Sequence, residues 1–382
     1  MIYLDNNATT KMDDEVLEAM RPYFSECYGN PSNNRNWFCK RAESAIENAL
    51  YELKDLFQSK SINDFIITSG ATESNNLAIT GLLSSEQASK KPRHIIISCI
   101  EHPSVLQVCK FWESKNVECT YLPVNKDGIV SIEMLEKSIR DNTYLISIMS
   151  ANNEIGTIQP VKEIAWLAKK HGIIFHTDAT QYLYHEFLNV QEIPVDMISF
   201  SGHKLHGPKG VGGLFVNQET RKKINPMLLG GGQQRNFRSG TWNVPGVIGM
   251  AKAMTALKAN QKDINERMLY LRELLLKELS AKTEVHVNGS LKTRLSGNLN
   301  MYFPNVAATA LIDQMQDIIF STGSACSSHS RDRESYVLQR IGLNSDEIKA
   351  SFRLGLSKYT TEEEIYSVAE EMLSVVDKSR KR

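Results

Sequence analysis

The 382 residues contain no CxxC pair, no excess of either charge, and no apolar run near the ~20 residues that a membrane span needs. Lys plus Arg number 44 and Asp plus Glu number 44, so the formal net charge is zero. No overall field therefore argues for nucleic acid or a membrane surface as a partner. Only the tail, Lys378 to Arg382, is locally basic, and it reads as a frayed, solvated terminus. Without a CxxC spacing, zinc and thioredoxin-type sites are poorly supported. The six cysteines, Cys27, Cys39, Cys99, Cys109, Cys119 and Cys326, are too few to staple a chain of this length. A reducing cytoplasm is the expected compartment. The first residues, Met1-Ile2-Tyr3-Leu4-Asp5, show no basic segment followed by an apolar core, so no secretory signal is expected.

Hydrophobic residues at 41% and charged residues at 23% are ordinary globular values. The length suggests two or three domains. Short apolar runs at 64–68, 94–99, 144–149, 173–177, 196–200 and 213–216 are apolar throughout rather than alternating. That pattern suits strands covered on both faces. Helical patterns at 105–114, 132–140 and 161–171 lie between them. The alternation predicts an α/β fold with a mostly parallel, doubly wound sheet. A long helix is predicted from 247 to about 280. Strand-like runs at 284–287, 297–302, 317–320 and 350–355 follow, then a closing helix over 361–377. This second part reads as a smaller α+β domain, with the boundary near 250–260 and the first dozen residues returning to pack on it.

The strongest chemical signal is Ser201-Gly202-His203-Lys204, a polar turn just beyond an apolar run. A lysine there suits a Schiff base with pyridoxal phosphate, and Ser201 and His203 can reach that cofactor's phosphate. Four other turns end apolar runs. Asp178 can pair with a pyridinium nitrogen and keep it protonated, which makes the ring an electron sink. Gly70-Ala71-Thr72 enters a helix whose positive end binds phosphate well. His102 can stack on a planar ring and move protons. Asn153 can donate to a ring oxygen. Each also has an ordinary structural reading: Asp178 as a helix cap, Gly70 as a common turn, His102 as a strand-end histidine, Asn153 as a turn former. In an open α/β sheet, however, all five turns fall on the edge where ligands bind. A sixth feature is Ser321-Thr322-Gly323-Ser324-Ala325-Cys326-Ser327-Ser328, a small polar stretch expected to be exposed. The other five cysteines stand in helical or strand-like contexts, so Cys326 is the candidate nucleophile, with His329, Arg331 and Arg333 favouring its thiolate.

These motifs, in this order, resemble the NifS/IscS-type cysteine desulfurases, of the fold-type I class of pyridoxal-phosphate enzymes. The resemblance runs from Tyr3-Leu4-Asp5-Asn6-Asn7-Ala8-Thr9-Thr10 through Gly29-Asn30-Pro31-Ser32 and Arg238-Ser239-Gly240-Thr241 to Arg353. The stretch Thr322 to Cys326 looks like the family's first group. The resemblance implies a large cofactor domain over 13–255, and a small domain from 1–12 and 256–382 that carries the cysteine. It also implies a role for each site residue. Lys204 would bear the cofactor, Asp178 would meet the ring nitrogen, and His102 would stack on the ring. Asn153 and Gln181 would contact the ring hydroxyl. Ala71, Thr72, Ser201, Gly202 and His203 would hold the phosphate, and Thr241 would reach the phosphate of the partner subunit in a homodimer. Arg353, with Asn153, would bind the substrate carboxylate. L-cysteine would give up its sulfur to Cys326 as a persulfide and leave as L-alanine.

The sulfur would then pass to an acceptor protein, in iron–sulfur cluster assembly or tRNA thiolation. The alternatives are a desulfurase serving DNA phosphorothioation and a selenocysteine lyase-like enzyme. No metal, membrane or direct nucleic-acid contact is expected. Asn33-Asn34-Arg35, His206, Gln234, Trp242 and the charged stretch 329–336 depart from the family's usual pattern.

Overall fold

In the computed structural model, the structure describes residues 1–33, 35–85, 93–322 and 334–380. Its strands are β1 (Ile2–Tyr3), β2 (Phe65–Thr68), β3 (His94–Ser98), β4 (Glu118–Leu122), β5 (Thr143–Ser147), β6 (Ile174–Asp178) and β7 (Met197–Ser201), then β8 (Gly212–Val216), β9 (His286–Val287), β10 (Asn298–Tyr302), β11 (Ile318–Ile319), β12 (Ser321–Thr322) and β13 (Ser351–Gly355).

Seven of them form the main sheet, in the order β2-β8-β7-β6-β5-β3-β4. Every neighbouring pair is parallel except those that include β8, which is antiparallel to both β7 and β2. Strand β2 therefore runs the same way as β7. The ends of β2, β3, β5, β6 and β7 that carry the five polar turns lie along one edge. Strands β2, β3, β6, β7 and β8 are buried along their whole length, which accounts for their uniformly apolar runs.

Strand β4 and the helix Trp37–Phe57 are among the elements those runs do not foresee. Strand β4 sits at the sheet edge with Glu118 exposed, so its residues alternate in polarity instead of forming an apolar block. The helix Trp37–Phe57 buries Cys39, Ala42, Ile46, Ala49, Leu53 and Phe57, a helical spacing spread thinly along 21 residues.

A second sheet has the order β12-β13-β10-β9, and β1 pairs in parallel with β11 beside it. Asp5 bridges to Gly355, so the first residues do return to this part of the molecule. The helix Val244–Ser280 runs 37 residues and links the two regions. Near its start Val247, Met250, Met254 and Leu257 join the core under the main sheet. Near its end Leu271, Leu275 and Leu279 join a separate core with Leu299, Phe352 and Leu354.

Phe57 is the hub of the main core. Its ring lies 5.4–6.4 Å from those of Phe65, Phe187, Phe200 and Phe215, and it is fully buried. Truncating such a ring removes its burial and leaves a cavity, a loss of roughly 3–5 kcal/mol. Phe57→Ala should therefore unfold at clearly lower urea concentration than the parent chain, as followed by circular dichroism.

Candidate active site

The turns at the strand ends enclose a cavity of about 560 Å³. Its lining includes Ala71, Thr72, His102, Asn153, Asp178, Gln181, Ser201, His203 and Lys204. The volume lies within the range of small-molecule sites. Three of the sequence candidates stand elsewhere. Gly202 is buried behind the wall, where its N–H donates to the Val211 carbonyl. Thr241 is exposed and outside the lining. Arg353 is buried and is tied to the back of the wall through the Asn153 carbonyl, 2.8 Å away. Cys326 lies outside the described residues.

One end of the cavity is built for an anion. The helix Ala71–Leu83 opens onto it, and the first N–H groups of a helix have no partner within it. Ser201 and His203 line the same cavity, and a Cβ on Gly70 would lie 3.8 Å from the Ser201 hydroxyl. Close approach of the two sides needs glycine. A Cβ on Gly212 would lie 2.7 Å from the Gly70 Cα, and 2.5 Å from the Phe200 carbonyl. Burial holds the His203 imidazole down to about 4, with the Lys204 and Lys209 charges acting in the same sense.

The other end is built around Asp178, which is 6% exposed. Asn75 Nδ2 donates to its Oδ2 at 2.7 Å, and the Thr180 N–H donates to its Oδ1 at 3.0 Å. Asn75 Nδ2 also reaches Ser104 Oγ at 2.9 Å, and that hydroxyl meets His102 Nδ1 at 2.8 Å. The Ser104 N–H donates to the same Nδ1, so the proton of a neutral His102 is placed on Nε2. Burial lowers the His102 pKa and keeps the ring uncharged. Lys204 Nζ donates to the carbonyl oxygens of Asn7 and Ala8 at 2.5 and 2.6 Å. Asn7 in turn holds Gln181 through two hydrogen bonds.

This donor set fits pyridoxal phosphate. It offers an anion-binding helix end, a buried carboxylate for a protonated ring nitrogen, a neutral imidazole and a primary amine in one cavity. Thr180 Oγ1, on the cavity wall, is buried with no protein partner.

The class-V aminotransferase family profile matches residues 2–368. The chain belongs to that family. A cysteine desulfurase IscS of Rickettsia akari is 39% identical over 381 residues, covering 100% of this chain and 92% of the relative. Among solved structures, a NifS-like protein superposes with a TM-score of 0.91 at 35% identity, covering 98% of this chain and 99% of that one. SspA in complex with cysteine superposes with a TM-score of 0.82 at 34% identity, covering 94% and 100%. The class-V fold, a mostly parallel mixed sheet with helices plus a smaller α+β region, is the one predicted from the strand and helix runs.

Several residues that shape this class-V site carry no motif of their own. Asn75, one turn into its helix, and Ser104, the second residue of its own, are fully or largely buried polar residues. Glu73 pairs with Arg238 at 2.9 Å and accepts the Ser69 N–H at 2.7 Å, which pins the anion turn. Two departures from the usual pattern have structural roles. The Gln234 side-chain amide pairs with both the N–H and the carbonyl of Ile67, capping edge strand β2 as another strand would. His206 donates from Nδ1 to the Lys11 carbonyl and accepts at Nε2 from the Tyr184 hydroxyl.

Two buried acids flank the cavity. Burial pushes the Glu101 carboxyl up to about 8 and the Glu154 carboxyl up to about 7. Glu101 Oε1 accepts from Ser98 Oγ and the Met149 N–H, whereas its Oε2 has no partner and holds the proton. A carboxyl whose folded pKa is raised stabilises the fold fully below its unfolded value near 4.5. That contribution is lost as pH rises toward 8, at about 1.4 kcal/mol per pH unit. Glu101→Gln keeps both accepted bonds and cannot ionise. Its unfolding midpoint should fall less than the parent's between pH 5 and pH 8, and equal slopes would show that Glu101 is not a buried neutral acid.

Proposed function

We propose that the chain is a pyridoxal-phosphate-dependent cysteine desulfurase that leaves the sulfur of L-cysteine as a persulfide on Cys326. The observation that carries this reading is the joining of both flanks of the Cys326 stretch to the cavity's own turns. On one flank Ser321 meets Arg353, which holds Asn153. On the other, Ser335 Oγ donates to Glu154 at 2.5 Å and the Tyr336 hydroxyl donates to the Glu101 carbonyl at 2.5 Å. The class-V relatives named as cysteine desulfurases, and the similar SspA in complex with cysteine, support the same substrate.

Pyridoxal phosphate, when bound, draws electrons away from the α-carbon of an amino acid joined to it. The residues of the chain do the rest. Ala71, Thr72, Ser201 and His203, which line the cavity, would hold the phosphate, and Gly202, its N–H already given to Val211, supports the turn from behind. Asp178, fixed by Asn75 and the Thr180 N–H, would meet the ring nitrogen. His102 presents an uncharged face to the ring, and Asn153 and Gln181 reach its hydroxyl. Lys204 anchors the cofactor and then takes the α-proton. Arg353 and Asn153 orient the substrate carboxylate. The Cys326 thiolate attacks the substrate sulfur, so an S–S bond forms as the C–S bond breaks. The net change balances without an outside oxidant: a thiol and L-cysteine become a persulfide and L-alanine.

On the same reading the chain is a homodimer. Thr241, exposed on this copy, serves the partner's phosphate, and the large domain spans 13–255 against 1–12 and 256–382. The persulfide passes to an acceptor protein in a reducing cytoplasm. Among the described residues no helix is long and apolar enough to cross a membrane, and all five described cysteines are free.

Borohydride reduction of the holoenzyme followed by peptide mapping should place the cofactor on Lys204, and Lys204→Ala should lose the reducible link; labelling of another lysine would refute the assignment. Cys326→Ser should still bind L-cysteine, with alanine release falling to background. After a brief cysteine pulse, mass spectrometry of the parent should find the extra sulfur on Cys326, not on Cys27, Cys39, Cys99, Cys109 or Cys119.

A further inference from the structure

The Arg353 guanidinium is not free to grip a substrate. It has five N–H groups, two on each Nη and one on Nε. One Nη1–H goes to the Asn153 carbonyl at 2.8 Å. Both Nη2 hydrogens are engaged: Asp5 Oδ1 accepts at 2.7 Å and Ser321 Oγ at 3.3 Å. Nε is buried without a partner. A carboxylate held by two parallel bonds uses either the two Nη groups or the Nε–Nη2 edge. Both arrangements need an Nη2 hydrogen. Substrate therefore cannot take the usual fork without displacing a resident contact, and the unpartnered Nε marks the Nε–Nη2 edge as the one it takes.

We propose that Asp5 is the resident occupant of the substrate-carboxylate site: it neutralises Arg353 in the resting enzyme and is exchanged for the carboxylate of the incoming α-amino acid. This rests on the cysteine desulfurase reading. Charge selects Asp5 rather than Ser321 as the contact that yields. Arg353 is 2% exposed, and two carboxylates against one buried guanidinium would leave an uncompensated negative charge. Exchange of one carboxylate for another leaves the pair neutral. Access agrees, because the Asp5 side chain is 15% exposed and can turn outward. Its backbone stays put, since the Tyr3 hydroxyl donates to the Asp5 carbonyl and Asp5 bridges to Gly355. Asp5 acts through Arg353 and is a positioning residue that sets substrate affinity.

The test compares the parent holoenzyme with Asp5→Asn by calorimetric titration with L-alanine, which carries the carboxylate but no sulfur, and with cysteamine, which lacks the carboxylate. An amide competes less well than a carboxylate for the guanidinium, so Asp5→Asn should bind L-alanine roughly tenfold tighter. Cysteamine affinity should be unchanged. The KM for L-cysteine should fall with that of L-alanine binding, and kcat should not rise. Asp5→Ser should repeat the pattern if the amide disturbs the segment. Unchanged or weaker L-alanine binding in both variants would overturn the exchange and make Asp5 a fixed support of Arg353. A tighter grip on cysteamine as well would also overturn it. The desulfurase reading fails separately: a parent enzyme that binds another amino acid but not L-cysteine refutes that reading, and the variant-to-parent ratio for the amino acid it does bind still decides the role of Asp5.

Discussion

The N-terminal segment over residues 2–13 is the constraint on which the rest of the site depends. It crosses from one core to the other at the cavity. β1 extends β11, and the Gly355 N–H donates to the Leu4 carbonyl at 2.7 Å. A few residues on, the carbonyls of Asn7 and Ala8 hold Lys204. Thr10 then closes on the lysine turn from both directions, donating from its N–H and hydroxyl to the His203 carbonyl and accepting the His206 N–H. Asp13 continues to Lys358 at 2.5 Å and to the Tyr359 hydroxyl at 2.6 Å. A single stretch thus sets the distance between the Lys204 amine and the Arg353 guanidinium. Backbone carbonyls and short side chains do this well because they have little freedom to lose.

Protonation states around the cavity follow from burial. His102 and His203 are kept neutral, and Glu101 and Glu154 are pushed toward their protonated forms. The acidic and basic side chains of the wall are Glu73, Asp178, Lys204 and Lys209, and Glu73 is already paired with Arg238. A charge in such a low-dielectric space is felt strongly. Asn75 contributes here without touching any reacting atom. One amide ties Asp178 to Ser104, and Ser104 sets the His102 tautomer. The acid and the imidazole are thereby oriented by a common residue.

The local chemistry was legible in the sequence because four of the five polar turns follow a strand buried along its whole length and the fifth follows β5, buried over its last three residues, and an uninterrupted apolar run is easy to see. That β2 to β8 would form one sheet, with the five turns on one edge, follows from the alternation of runs and helices. By itself the sequence determined the fold class, the reactive turns and the cysteine set apart from the rest, since these depend on composition and short-range order. Only the tertiary structure decided which polar residues stand behind those turns. Asn75, Glu73 and Asp5 matter because segments 100 or more residues away deliver their partners, Asp178, Arg238 and Arg353. Arg353 shows this most clearly. The family resemblance assigned it to a substrate carboxylate, but the structure shows its Nη2 already shared between Asp5, 348 residues away, and Ser321. Hydrogen-bond valence is counted in space, and chain order does not record it.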